Sequence, residues 1–184
     1  MIVPAARWSD FLALDEDDLR ELIDGELVEV EVPTASHEWV VSRLIVALSV
    51  WTDAHGGIVF GSGYKIRVRD DRGVMPDVQL FRAGHEGIIG DQGLEHGAPD
   101  LVVEVVSPSS RRYDRVVKLG WYASVGVAEY WLIDPGDRTL ERLVRGGGVY
   151  QIATALEGSA VFAPGSFPGL EVQLASLWSL PGSR

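Results

Sequence analysis

One acidic residue, Glu104, interrupts the apolar stretch Leu-Val-Val-Glu-Val-Val at residues 101–106. An ionised carboxylate is costly to bury unless a cation or a metal ion compensates its charge. The position of Glu104 therefore demands a partner. Two ordinary alternatives remain open, an ion pair with an arginine of a neighbouring helix and a strand end at which the carboxylate reaches solvent.

Asp77 is a second carboxylate that adjacent strands would bring close to Glu104. It follows Pro76 and precedes Glu104 by 27 residues. Two carboxylates on neighbouring strands suit a hard cation such as Mg²⁺, which takes oxygen ligands and keeps several waters. Metal-assisted phosphodiester hydrolysis is the chemistry that such a pair supports. A Pro-Asp dipeptide is also common in turns, so a turn role is the alternative for Asp77.

Lys118 offers the cation that this chemistry needs near the charge developing on phosphorus. Asp114, Lys118 and Tyr122 recur at intervals of four residues, which places them on one helical face. The alternative is a surface pair between Asp114 and Lys118, worth about 0.2–0.5 kcal/mol. Glu21 and His37 are weaker candidates for supporting roles in the same pocket, as are Asp114 and Tyr122.

Other catalytic motifs find little support. The chain has no cysteine, which excludes disulfides and thiolate metal sites. Ser107 lacks a Gly-x-Ser-x-Gly setting, and no Gly-x-x-x-x-Gly-Lys loop is present to cradle a nucleotide phosphate. The histidines other than His37 show no metal-ligand spacing. Serine hydrolysis and nucleotide-dependent phosphotransfer are therefore disfavoured.

The net charge of −11 argues against a general nucleic-acid binder. Nine acidic residues fall within residues 15–31, so the negative charge is concentrated near the start of the chain. Two short stretches are basic and are the candidate phosphate contacts, with solvated surface positions as the alternative. Their cationic residues are Lys65, Arg67, Arg69 and Arg72 in the first stretch, and Arg111, Arg112, Arg115 and Lys118 in the second.

The hydrophobic pattern predicts one mixed α/β (α+β) fold whose elements position these residues. It predicts a short helical turn at 9–14, a hairpin at 21–30 around Asp24-Gly25, and a helix at 37–54 capped by Thr34 or Ser36. An antiparallel hairpin should follow, with strands at 64–69 and 74–81, and then a surface loop at 83–99.

The second half predicts a parallel βαβ unit, because a central strand at 101–106 precedes a helix at 110–124 and a strand at 129–133. Ser107-Pro108-Ser109 would end the central strand and cap the helix. Antiparallel strands are expected at 140–144, 149–154 and 170–174, with Leu177-Trp178 closing the core. The core order is thus helix, antiparallel hairpin, central strand, crossover helix and strand, with β additions at both ends.

Several short segments, taken in order, are typical of one family. They are Glu21-Leu22-Ile23-Asp24-Gly25-Glu26-Leu27-Val28, His37, Pro76-Asp77-Val78, Leu101-Val102-Val103-Glu104-Val105-Val106-Ser107-Pro108-Ser109, Asp114, Lys118, Tyr122, Gly126-Val127, Glu129-Tyr130-Trp131-Leu132-Ile133-Asp134-Pro135 and Phe167-Pro168-Gly169-Leu170. Together they resemble the Uma-two family of restriction-endonuclease-like proteins, within the PD-(D/E)XK nuclease superfamily. The resemblance covers nearly the whole chain.

The resemblance implies a single restriction-endonuclease-like domain over residues 1–184 with a Mg²⁺-dependent phosphodiesterase core, Mn²⁺ being an alternative ion. Asp77 and Glu104 match the acidic metal ligands, and the backbone carbonyl of Val105 would assist. The superfamily expects a lysine two residues after the second acid, where this chain has Val106. The catalytic role would therefore pass to Lys118.

Two functions follow as hypotheses. The first is a cytoplasmic, metal-dependent DNA endonuclease; no apolar stretch is long enough for a membrane span. A homodimer is expected only by analogy with the fold, because two sites cut both strands of a duplex. The second is a non-catalytic module that keeps the nuclease fold to bind DNA or a protein partner, which the net charge and Val106 favour.

Overall fold

The computed structural model describes residues 4–15, 18–108 and 110–180, so Glu16, Asp17 and the predicted cap residue Ser109 lie outside the described residues. The first half of the chain contains helix α1 (Trp8–Leu12), strands β1 (Arg20–Ile23) and β2 (Glu26–Glu29), helix α2 (Ala35–His55), and strands β3 (Gly57–Gly61), β4 (Lys65–Arg69), β5 (Arg72–Val74) and β6 (Val78–Arg82).

The second half begins with a 3-10 turn (Glu86–Ile88) and strands β7 (Gly93–Leu94) and β8 (Leu101–Val105). A π-helix (Tyr113–Lys118) then runs directly into helix α3 (Leu119–Val125). The remaining elements are strands β9 (Glu129–Asp134), β10 (Thr139–Gly146), β11 (Val149–Glu157), β12 (Val161–Phe162) and β13 (Val172–Gln173), and helix α4 (Leu174–Trp178).

The strands form three sheets. The largest has the order β11-β10-β9-β8-β6-β3, and a five-stranded sheet has the order β2-β1-β5-β4-β7. Strands β12 and β13 pair separately. Strands β8 and β9 run parallel, whereas β8 and β6 run antiparallel, which confirms the predicted mixed sheet and the βαβ crossover.

Local sequence signals explain the elements that match the prediction. The first hairpin turns at Asp24 and Gly25, whose φ angles of 49° and 84° are positive, as a tight turn requires. Thr34 caps α2 by accepting a hydrogen bond from the backbone N–H of His37, and the helix ends at Gly56. The predicted helix at 37–54 is therefore confirmed within two residues at each end.

The predicted strand at 74–81 is wrong as one element, because the chain changes sheet at Met75-Pro76-Asp77. Strand β5 pairs with β4 in the five-stranded sheet, whereas β6 joins β3 and β8 in the larger one. Proline has no N–H to donate to a ladder, so Pro76 interrupts pairing at this point. Asp77 consequently lies between the two sheets rather than within a strand.

Three further expectations need correction. Strand β3 was not predicted, although it pairs with all of β6. The loop at 83–99 contains the 3-10 turn and the buried strand β7. The predicted strand at 170–174 is reduced to β13, because Leu174 begins α4 and is buried together with Leu177 at helical spacing.

The six-stranded sheet is covered on both faces. Helix α2 and the C-terminal segment pack on one face, around Leu44, Leu48 and Trp131. The π-helix, α3 and strands of the five-stranded sheet pack on the other, around Tyr122 and Tyr130. Burial on both faces explains why β8 and β9 are mostly apolar rather than alternating. Among the described residues, no helix has the length and apolar character needed to cross a bilayer.

A buried ion pair joins β9 to β10 away from the cavity described below. Glu129 accepts hydrogen bonds from Arg142 Nε at 2.8 Å and from the Trp131 indole N–H at 3.1 Å. Burial acts to raise the pKa of Glu129, but hydrogen bonds from Arg142, Ser166 and Trp131 outweigh it, so the pKa is lowered. Glu129 therefore stabilises the fold in its charged form.

We expect Glu129→Gln to lower the free energy of unfolding at pH 7 by about 1.5–3 kcal/mol, the usual contribution of hydrogen bonds to a charged group. The folded pKa lies below the unfolded one, so this stabilisation is complete above about pH 4.3 and is lost as pH falls through the folded pKa. Urea unfolding at pH 7 and at acidic pH measures the difference, with exposed Glu26→Gln as the control. A difference that is equally large at both pH values would contradict the assignment.

Candidate functional site

A cavity of about 410 Å³ opens between the two larger sheets, where the C-terminal ends of the parallel strands β8 and β9 meet the π-helix. Its wall includes residues from β1, the segment that joins β2 to α2, the Pro76 crossing and the start of the helix after β8. The ionisable side chains in this wall are Glu21, Glu31, His37, Glu38, Asp77, Glu104, Arg111, Tyr113, Asp114, Lys118 and Asp134.

Glu104 and Lys118 form an ion pair at the floor of the cavity. The ammonium nitrogen of Lys118 lies 3.0 Å from Oε1 of Glu104, and Tyr122 donates its hydroxyl to the same oxygen at 2.5 Å. Glu104 is 3% exposed and Lys118 is 6% exposed. The cation that Glu104 requires is thus the lysine of the following helix, not an arginine.

Lys118 also contacts two further carboxylates. Its nitrogen lies 3.2 Å from Glu21 and 3.8 Å from Asp114. Glu21 is held in place by the backbone N–H of Met75 at 3.0 Å and by the hydroxyl of Tyr113 at 3.2 Å. One buried ammonium therefore links strand β1 of one sheet to strand β8 of the other.

The charges in this cluster are not balanced. Burial acts to lower the pKa of Lys118, but the surrounding carboxylates, led by Glu104, outweigh it and hold the pKa well above its usual value. Burial raises the pKa of Glu104, and the nearby acids add to this effect against the attraction of Lys118. Burial likewise raises the pKa of Asp114. Lys118 stays protonated while several carboxylates compete for its single charge.

The π-helix places Asp114 and Lys118 inside this cluster. Both are buried, and Tyr122 follows one turn later in α3. A π turn carries an i→i+5 hydrogen-bond pattern and is frequent at functional sites. Asp114, Lys118 and Tyr122, which follow one another at intervals of four residues, therefore lie on one buried face. Asp114 lies beside Lys118, and Tyr122 lies beside Glu104.

Asp77 lies in the same cavity wall, held by the backbone of the Glu104 strand. Its Oδ2 accepts the N–H of Val105 at 2.7 Å and lies 3.2 Å from Nε2 of His37. Burial acts to lower the pKa of His37, but the hydrogen bond to Asp77 and the charges of Asp77 and Glu38 outweigh it, so the pKa is raised. The Asp77 carboxylate thus favours the protonated form of His37, and the hydrogen bond between them orients Asp77.

The donor set fits a hard divalent cation that has few protein ligands. Within the described ranges, neither Oδ1 of Asp77 nor Oε2 of Glu104 accepts a hydrogen bond, and both residues face the same cavity. No three His, Asp or Glu side chains in those ranges form a cage for a metal ion. Mg²⁺ commonly uses one or two carboxylates and keeps its waters. The carbonyl of Val105 as a further ligand stays a prediction.

The predicted phosphate contacts do not gather at the cavity. Lys65 is buried and donates its ammonium to the carbonyl of Phe11 at 2.8 Å, because α1 covers the start of β4. Burial lowers the pKa of Lys65. Arg67 pairs with Asp70 at 3.2 Å, and Arg69 pairs with acidic residues of the neighbouring turns at 3.0 Å. Lys65 is thus not available at the surface, and both arginines are neutralised locally.

The arginines of the second basic stretch also have different surroundings. Arg115 pairs with Glu141. Arg112 is exposed and forms no ion pair within the described part of the chain. Arg111 alone among the predicted arginines lines the cavity, where its guanidinium lies 2.9 Å from Asp134 and 3.2 Å from Asp137.

Asp134 is a cavity residue that the sequence reasoning did not select. It ends β9, is buried, and caps the next turn through the N–H groups of Gly136 and Asp137. Its second oxygen forms an ion pair with Arg111 without hydrogen-bond geometry. The signal that could have found it is topological, because the ends of neighbouring parallel strands are where such sites form. Tyr113, which supports Glu21, has no comparable signal.

Comparisons with known proteins bear on the family and the fold. The family model described as "Uma2: Putative restriction endonuclease" matches residues 8–175. A crystal structure of "a putative nuclease belonging to DUF820" from Anabaena variabilis ATCC 29413 is similar, with a TM-score of 0.73. Its sequence identity is 19%, over 92% of this chain and 96% of that chain, so this likeness concerns the fold. No curated protein matches the chain.

We expect Lys118→Met to lower the free energy of unfolding by about 3–5 kcal/mol, because it leaves buried carboxylates without their cation. Introducing Glu104→Gln into Lys118→Met should restore part of that loss, since an amide needs no counter-ion. Urea unfolding of the two single variants and the double variant measures the coupling. Strictly additive effects would show that the two side chains do not depend on each other.

Proposed function

We propose, from the premise that this chain belongs to the Uma2 family, that it is a divalent-metal-dependent endonuclease that hydrolyses DNA phosphodiester bonds. Asp77 and Glu104 would hold Mg²⁺ or Mn²⁺, and Lys118 would stabilise the charge on the reacting phosphate. A bound cation of this kind polarises a phosphoryl oxygen and lowers the pKa of a coordinated water.

One observation carries the proposal: two carboxylates with unused oxygens face one cavity beside a protonated lysine. When Glu21, Asp77, Glu104 and Asp114 are all ionised, the cluster has three negative charges in excess of Lys118, or two when His37 is protonated. A divalent cation would offset most of this excess. The imbalance is thus an electrostatic reason for metal affinity that is independent of the family.

The side chains have distinct roles in this proposal. The raised pKa of Lys118 prevents it from accepting a proton at neutral pH, so it acts as a fixed positive charge and not as a base. Tyr122 holds the Glu104 carboxylate, and His37 and the Val105 amide hold that of Asp77. In hydrolysis, a water oxygen bonds to phosphorus and the water gives up a proton, while one bridging P–O bond breaks and the departing oxygen takes up a proton.

Lys118 replaces a lysine that the superfamily expects on the strand. Val106 occupies that position and packs in the core. From the helix, the ammonium of Lys118 lies 3.0 Å from Oε1 of Glu104. Lys118 thus keeps a cation beside Glu104 although strand β8 and Val106 provide no lysine.

A second function has its own support. Lys118 is already committed to Glu104 and Glu21, and the chain carries a net charge of −11. A nuclease-fold module that binds DNA or a protein partner without cutting would show these same features. The two functions differ in whether a metal ion binds at Asp77 and Glu104 and whether DNA is cleaved.

We expect the purified protein to cleave supercoiled or single-stranded DNA in Mg²⁺ or Mn²⁺. Asp77→Asn and Glu104→Gln keep the shape of each side chain and should lower the rate by about a hundredfold or more. The exposed Asp53→Asn on α2 is a control that should retain full activity. Wild-type protein that cuts neither DNA form with either metal would exclude the enzymatic proposal for these substrates.

We expect Mn²⁺ at about a hundredfold above its dissociation constant to stabilise the fold by about 2.7 kcal/mol, which raises the melting temperature by roughly 5–10 °C. Differential scanning calorimetry with and without Mn²⁺ measures the shift. Asp77→Asn and Glu104→Gln should show little of it, while Asp53→Asn should behave as wild type. An unchanged melting temperature for the wild type would favour the non-catalytic module.

A further inference from the structure

The groups that would perform hydrolysis lie below the protein surface. Glu104 is 3% exposed and Lys118 is 6% exposed, and both form the floor of a cavity of about 410 Å³. A phosphodiester must enter this cavity to reach them. The phosphates of a stiff duplex cannot leave its outer surface, whereas an unpaired strand can bend one nucleotide inward.

The surroundings of the cavity are poorly suited to a duplex. Binding to a duplex rests on clustered Lys and Arg residues that displace counterions from many phosphates. Here Arg67, Arg69 and Arg115 are each paired with carboxylates, and Lys65 is buried. Arg111 lines the cavity but is itself paired with Asp134 and Asp137, and the whole chain carries a net charge of −11.

The cavity lining also includes apolar residues. We call this set the apolar lip and define it as Leu19, Val30, Val32, Pro33 and Met75, all of which line the cavity. Leu19 is 46% exposed and Val32 is 75% exposed, so the lip presents side chains to whatever enters. The volume falls within the range of about 300–1,000 Å³ for pockets that hold small organic ligands.

We propose that this cavity is a subsite for one unpaired nucleotide, and that the substrate is therefore single-stranded or locally unpaired nucleic acid. The base and sugar contact the apolar lip, and the adjoining phosphate faces Lys118. A negatively charged surface gains little binding free energy from contacts with phosphates. Apolar contact with the base supplies binding free energy in their place. This inference rests on the proposed function and adds a substrate class to it.

The test compares three labelled probes of one sequence: a single strand, a blunt duplex and a duplex with an internal unpaired loop. Fluorescence anisotropy in Ca²⁺ reads binding, and cleavage in Mn²⁺ is followed separately. We expect the single strand and the looped duplex to bind and be cut at least about tenfold better than the blunt duplex. Equal binding and cutting of all three would overturn the inference and leave the nuclease proposal intact.

The apolar lip is tested by substitutions at its exposed residues, which have little part in the core. Val32→Asp and Leu19→Asp should each raise KM for the single strand by about tenfold with little change in kcat, and Val32→Ala should do so less. Val149→Asp on β11 is the matched control, since Val149 is 60% exposed and does not line the cavity. Unchanged KM in both lip variants would overturn the inference.

Binding and cleavage are read separately so that the two proposals can fail independently. If no probe is cut but the single strand and looped duplex still bind more tightly, and Val32→Asp abolishes that preference, the subsite stands and the nuclease proposal falls. If neither binding nor cutting distinguishes the probes, the subsite falls. Circular dichroism melting of each variant verifies that it is folded.

Discussion

The site depends on one buried ammonium shared by acids from separate elements. Lys118 contacts Glu104 of β8, Glu21 of β1 and Asp114 of its own helix. Desolvating these groups is costly, and the cost is offset only if the geometry is close and the remaining oxygens find partners. Hydrogen bonds from Tyr113 and the Met75 amide stabilise Glu21, and Tyr122 stabilises Oε1 of Glu104, whereas Oε2 of Glu104 accepts none from the described residues; the cluster is thus both a structural centre and the source of the cavity's negative charge.

Much of the fold could be predicted because its signals are local. The cap at Thr34, the turn at Asp24-Gly25 and the apolar run around Glu104 each act within a few residues. The parallel pairing of β8 and β9 followed from a strand, a helix and a strand in succession. The prediction did not show that the chain passes from one sheet to the other at Pro76. Apolar and polar residues alternate in the same way whether one strand continues in a single sheet or two short strands belong to different sheets.

The arrangement of the site was harder to predict from the sequence than the fold. The interval of four residues places Lys118 on the face of Asp114 and Tyr122, but no local pattern says that this face is buried or which acids it meets. Lys65 illustrates the converse, because its alternation with Arg67 predicts a surface cation, yet α1 covers it through a contact 54 residues away in sequence. Charge pairing over such separations is set by tertiary packing and has no periodic signature.

The site lies where the chain crosses from one sheet to the other at Pro76. Glu21 belongs to one sheet and Glu104 to the other, and Asp77 lies on the three-residue connection between them. Because Lys118 contacts both acids, a separation of the two sheets would lengthen its contact to Glu21 or to Glu104. The width of the cavity and the distances between its charges are therefore linked, because one ammonium joins the two sheets across it.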